Sequence, residues 1–353
     1  MRSEPNSDDT VRLVPRRPPA RQRGRWLWAA AGAAAAVLAM GIAGWLVWPR
    51  QAPGPVGQSP ARQNLALQVP APQPVPQAAP PSPVAPAPIP IETADAQEIR
   101  AHVSTGLTVF RLAANPSIVV LDFASLRQQG LMLNRVAALI EKGGMPRNRV
   151  MNDTELAAAI SGGGDTVETF YYGHDYSAAA IARFFSLAAQ DNILLNPEEE
   201  KLHQLLAQLG WLAPDVNGGL ISVPKVGADA AVTVGARNAI LQHELSHGEY
   251  FSNPTYAAYV HQFWLHELTQ DEQNGVRKFL ASEEYDSKVE DLVENEMQAY
   301  LMFTRDPAFF TPSKVGMTPE RLAEVQVAFH RNMPRGWLRD LLGQTLPVAA
   351  APY

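Results

Sequence analysis

Apolar and polar positions divide this chain into three stretches of different grain. From Trp26 to Trp48 no residue is charged, alanine dominates and tryptophans stand at both ends. Such a run is long enough to cross a ~30 Å hydrocarbon core, with Trp26, Trp28, Trp45 and Trp48 at its two interfaces. It predicts one transmembrane helix over 26–48. Pro49 to Pro90 is built from Pro, Ala, Gln and Val with almost no charge. That composition cannot build a core and favours extended polyproline II, at about 3.1 Å per residue. It predicts a disordered stalk over 49–95, leaving 96–353 as the folded domain.

Within that domain, Ser117 to Phe123 (Ser-Ile-Val-Val-Leu-Asp-Phe) reads as a buried strand. Helical periods follow at 124–142, 153–160 and 177–190, where Asp175 or Ser177 is the simplest N-cap. Asn196-Pro197-Glu198 combines a cap, a proline in the first turn and an acid at the positive dipole end. That helix should run to Gly210. Leu220 to Lys225 is a short strand that Pro224 restricts to a sheet edge. Helices are predicted again at 254–267, 270–281, 286–304 and 318–332. The sum is an α+β class: a mostly helical domain with a small sheet and no internal repeat.

Charge adds topology. Seven arginines precede the apolar run, against Glu4, Asp8 and Asp9, whereas only Arg50 and Arg62 follow it before Glu92. The positive-inside rule then keeps 1–25 cytoplasmic and sends the rest across. A cleaved signal is the rival reading, but its apolar region should span only ~7–15 residues and end in small residues. The first 95 residues carry 9 Lys+Arg and 5 Asp+Glu, net +4; the remainder carries 20 and 30, net −10. An acidic domain without a basic patch argues against nucleic acid as a partner. The absence of cysteine removes disulfides and thiolate ligands. A single-pass inner-membrane protein with a periplasmic domain fits these signals.

One short string carries a mechanism. His243-Glu244-Leu245-Ser246-His247 is H-E-x-x-H, inside a proline-free stretch from Ala236 to Tyr250. On a helix, residues four apart share a face, so both imidazoles reach one ion while Glu244 leans toward its open position. Gly248 is placed to end that helix. Here the chain resembles the zincin metallopeptidases, although Glu249 puts a charge where their helix continues apolar. The alternative is a pair of ordinary structural histidines.

The resemblance implies one zinc ion, a third protein ligand and Glu244 as general base. A third histidine six residues past His247 is missing, since that position is Asn253. Glu267, twenty residues beyond His247, has a spacing that resembles thermolysin-like enzymes. Glu296 lies in Asn295-Glu296-Met297-Gln298-Ala299, similar to the glutamate-ligand helix of gluzincins, though Tyr300 stands where their supporting aspartate is common. A carboxylate inside an apolar helix is costly unless paired or metal-bound, so Glu296 is preferred to Glu267, Glu294 or a further histidine. The two strings together also resemble a group of bacterial membrane-anchored proteins.

Tyr250, Tyr285 and Tyr300 are candidate oxyanion donors, and His174 and Tyr176 candidate cleft residues. His261, His266 and His330 read as structural or exposed. The expectation is a periplasmic zinc metallopeptidase acting on a peptide or protein substrate. Its alternatives are a peptidoglycan amidase or peptidase, and a non-catalytic metal-binding envelope module.

Overall fold

The computed structural model describes residues 87–213 and 216–344 of the chain. The tail 1–25, the apolar run 26–48 and the stalk to residue 86 lie outside the described residues. Among the described residues no helix is long and apolar enough to cross a membrane.

Two nearly continuous apolar strands make the centre. β3 (Ile118–Phe123) and β5 (Gly219–Pro224) are buried at every position, which is why neither alternates in sequence. They pair in parallel, Ile118 opposite Gly219 and Phe123 opposite Pro224. β2 (Leu107–Leu112) lies antiparallel to β3, and β1 (Glu92–Ala94) parallel to β2. β4 (His174–Ser177) lies antiparallel to β5, giving the order β1-β2-β3-β5-β4. Among the described residues 55% are helical, packed around this one mixed sheet, an α+β fold.

Two expectations are corrected here. β5 is not an edge strand, because β3 and β4 flank it. Pro224 is tolerated because the β4 ladder stops at Ser222, so its missing N–H faces no partner strand. The domain also begins before residue 96, since Glu92–Ala94 joins the sheet. Three residues beside a proline-rich run carry no legible period.

Helices cover both faces of the sheet. α2 (Leu126–Ile140) packs on the face that carries Ser222 and His174, where Gln129 Nε2 donates to the Tyr172 carbonyl at 2.8 Å. Behind it stand α4 (Ala178–Gln190) and α5 (Pro197–Leu209). Ser177 caps α4, accepting from Ala180 N, which leaves Asp175 available for another role. Asn196 caps α5 with a full capping box, and Gly210 ends it at φ 75°. Two small helices, α1 (Ala96–Ala101) and α3 (Asp153–Gly162), complete the first half of the chain.

α6 (Val234–Ser252) lies on the opposite face, capped by Thr233. Gly248 does not end it. The helix runs four residues further because this glycine serves close packing: a Cβ there would lie 2.8 Å from Ile118 Cγ2, and one on Gly219 would lie 2.9 Å from Gly248 Cα. The unexpected charge of Glu249 is fully used, accepting from Asn115 Nδ2, Asn253 Nδ2 and Trp337 Nε1 at 2.8 Å each. Near the start of α6, Arg237 forks onto Asp122 of β3 at 2.8 and 2.9 Å and also donates to the carbonyls of Ile99 and Pro224.

A helical layer closes over α6. It comprises α7 (Pro254–His266), α8 (Gln270–Ser282), α9 (Glu290–Gln298), α10 (Pro319–Asn332) and α11 (Trp337–Gly343). The pattern predicted one helix over 286–304. Its regular part starts at Glu290, and its last turn, Ala299–Phe303, widens into a π-helix.

Candidate metal centre

α6 presents His243 and His247 on one face, and their Nε2 atoms stand 3.0 Å apart. Glu296 of α9 faces both, its Oε2 lying 3.7 Å from His243 Nε2 and 3.8 Å from His247 Nε2. The circle through these three atoms has a radius of about 2 Å, the length of a zinc–nitrogen or zinc–oxygen bond. All three side chains are buried and together form a group able to hold a metal ion.

The other ring nitrogens decide which lone pairs face inward. Thr304 Oγ1 donates to the Ala299 carbonyl at 3.0 Å, so it accepts from His243 Nδ1–H at 2.8 Å. The π-turn makes this possible: the Thr304 amide reaches back five residues to the same Ala299 carbonyl. His247 Nδ1 lies 3.5 Å from Asp175 Oδ1 of β4, near that carboxylate but without a hydrogen bond to it. The lone pair of His243 Nε2 therefore points inward at His247 Nε2, where it accepts a proton from that ring or binds a cation.

Electrostatics point the same way. Burial and then the neighbouring His247 hold His243 well below the usual imidazole range, so it stays neutral, as a ligand must. Burial, then Asp175 and Glu141, push the Glu296 carboxyl well up, while the Tyr285 hydroxyl opposes them. Glu244 is pushed up by burial and then by Asp175, Glu296 and Glu141, and its Oε2 has no hydrogen-bond partner. Four buried carboxyl groups therefore crowd the two imidazoles, and a divalent ion would offset their charge. Gly173 leaves room for one of them, since a Cβ there would lie 2.0 Å from Glu244 Oε1.

The sequence candidates separate cleanly. Glu267 is exposed at the C-terminal cap of α7, away from the imidazoles. Glu294 pairs instead with His261 Nδ1 at 2.9 Å. Tyr250 donates to Asp291 at 2.8 Å, outside the centre. Tyr285 reaches Glu296, and the Tyr300 ring packs edge-on to His243 at 4.7 Å between centroids. His174 turns to the other sheet face, toward Gln129 and Ser222, where burial alone lowers it to about 3. Tyr176 sits near Glu141. His266 contacts Gln262, and His330 packs against Gly343.

Sequence reasoning missed Asp175, Glu141, Thr304 and Gly173. Strand alternation could have found Asp175, which faces opposite to His174 and Tyr176. Nothing local marks the others. Neither a protein-family model, a curated protein nor a solved structure matches the chain.

Thr304→Val keeps the side-chain shape and removes the hydrogen-bond acceptor of His243. Zinc affinity, measured by competition with a chelator, should fall about 10- to 100-fold. An unchanged affinity would show that Thr304 does not orient the ring.

Proposed function

We propose that this domain is a zinc-dependent hydrolase of peptide or amide bonds. It would be anchored by the helix expected over 26–48 and spaced from a bacterial inner membrane, on the periplasmic side, by the Pro-rich stalk. The observation that carries the reading is the facing pair of imidazole Nε2 atoms at 3.0 Å, with Glu296 Oε2 closing the triangle. His243, His247 and Glu296 would hold the ion, with Thr304 keeping the His243 ring proton on Nδ1. A bound zinc ion supplies a Lewis acid and lowers the pKa of its water toward ~7.

Glu244 does the proton work in this reading. Its Oε2 is unpartnered, and its raised pKa makes it a stronger base than a solvated carboxylate. It would take up a proton at that oxygen and return it to the leaving amine.

One observation favours a second reading. His243, Glu244, His247 and Glu296 are each 3% exposed or less, as in a purely structural metal site of a non-catalytic envelope module. Glu244→Gln separates the two. On the first reading this variant keeps about one zinc per chain, because Glu244 is not a ligand, yet loses at least about 100-fold in hydrolysis of a mixed peptide pool or of peptidoglycan stem peptides. Zinc binding with no hydrolysis by the unaltered protein of either substrate would favour the structural site. The two substrate pools distinguish a general peptidase from a wall-directed one.

A further inference from the structure

Two short segments wall off the candidate centre: Glu141 to Gly143, after α2, and Glu284 to Asp286, between α8 and α9. They meet as an isolated antiparallel bridge with Lys142 opposite Tyr285. Gly143 N donates to the Glu284 carbonyl at 2.8 Å, and Asp286 N to the Glu141 carbonyl at 3.1 Å. Lys142 Nζ adds an ion pair with Glu284 Oε2 at 2.5 Å. Each segment also sends a side chain inward. Glu141 is 3% exposed and close enough to Asp175 to feel its charge, and the Tyr285 hydroxyl reaches Glu296.

A cleft lies on either side of the bridge. One, of about 500 Å³, is lined by Lys142, Gly143, Ala158, Gly162 and Tyr285. The other, of about 140 Å³, is lined by Glu141, Asp175, Tyr176, Phe251 and Asn295, along the free edge of β4. The bridge is short, with Arg147 beside it donating to the Lys142 carbonyl at 3.2 Å and pairing with Asp286 at 3.4 Å. It belongs to no longer ladder, and Glu284 holds φ 70°, a left-handed conformation unfavourable for a residue with a Cβ. The first cleft stops at Tyr285 and the second at Asp175, each in contact with a residue of the centre.

From this geometry we infer that the Glu141–Gly143/Glu284–Asp286 bridge is a strap that seals the catalytic centre and swings aside to admit substrate, merging the two clefts into one. The inference rests on the metallohydrolase reading for its purpose, but its opening is a property of the chain.

The chain has no cysteine, so Gly143→Cys combined with Glu284→Cys places a single disulfide across the bridge. A Cβ at Gly143 would lie 3.3 Å from the Glu284 carbonyl, close to the facing segment without a severe clash. In full-length, zinc-loaded, detergent-solubilised protein, the oxidised form should release zinc to excess EDTA at least ten-fold more slowly than its reduced form. Equal release rates overturn the strap. Should the disulfide not form, Lys142→Met decides, because it removes the ion pair and keeps an apolar stem over Phe170. Its release rate should rise at least three-fold, and an unchanged rate overturns the strap. If the unaltered protein takes up no zinc, the metal reading fails instead, and amide hydrogen exchange judges the strap. The Gly143 and Asp286 amides should then exchange at least 100-fold faster than the β3–β5 ladder, and exchange at the ladder's rate overturns it.

Discussion

Glu296→Gln should strip the protein of its metal and abolish hydrolysis, whereas Glu267→Gln should change neither. Glu296 is wholly buried among Met297, Val293 and Tyr300, and the two imidazoles are its nearest metal-ligand partners. Glutamine preserves its volume but not its charge, so the remaining ligands are two neutral nitrogens. Loss of one anionic ligand from a three-ligand site should weaken zinc by several orders of magnitude, and the bound water's acidity goes with it. Glu267 makes the same chemical change at an exposed helix end. Zinc content after dialysis against a weak chelator reads the difference. The metal-free melting temperature of Glu296→Gln should be no lower than that of the unaltered metal-free protein, because burial already pushes this carboxyl toward its protonated form. Zinc retained by Glu296→Gln and lost by Glu267→Gln would reverse the assignment.

The second large effect is on folding. Arg237→Met should cost about 3–5 kcal/mol, because it leaves the buried Asp122 carboxyl without its main partner in the strand core. The side chains are 1% and 0% exposed, and the fork makes two bonds at 2.8 and 2.9 Å. Only His102 Nδ1, at 2.8 Å, would remain beside the carboxylate. Arg149→Met is the matched control, since its pair with Glu155 is 47% and 36% exposed and solvent screens it. Urea unfolding of both variants gives the comparison. A cost for Arg237→Met no larger than for Arg149→Met would mean that the fork does not hold α6 on the sheet. Because domains are stable by only about 5–15 kcal/mol, the larger loss should be visible as a lowered urea midpoint even with the centre intact.

The two effects meet at α6, since Glu296 of α9 faces its imidazole pair and Arg237 anchors its start. Arg237 fixes the start of α6 to β3, Gly248 lets its later turns sit against Ile118 and Gly219, and the face with the two imidazoles lies between these anchors. The helix is held at both ends, so the imidazole pair is positioned by the core rather than by a loop.

Much of this was legible in the chain. The H-E-x-x-H string places two imidazoles on one face by helix geometry alone, and the apolar setting of Glu296 marks a carboxylate in need of a partner. The Asn196 cap, the β3 run and the helical periods beyond Pro254 are local signals that the fold repeats, as local interactions decide them. The strand order is different. β5 is internal because β4, only four residues long, pairs with it from 42 to 48 positions upstream. No local pattern encodes that pairing, and Pro224 misleads until the ladder's end is known.

Chain order likewise conceals the rest of the centre. Asp175, Glu141 and Thr304 arrive from a strand, the end of a helix and a π-turn, and each matters only through what it meets. By itself, then, the sequence determined that two imidazoles share one face of one helix, because spacing on a helix is a property of the backbone. Tertiary packing alone decided that Glu296 faces the pair while Glu267 stays in solvent, and that the bridge between residues 141–143 and 284–286 closes the centre. Those outcomes depend on which surfaces are buried together, and burial is settled by the whole core rather than by any segment of it.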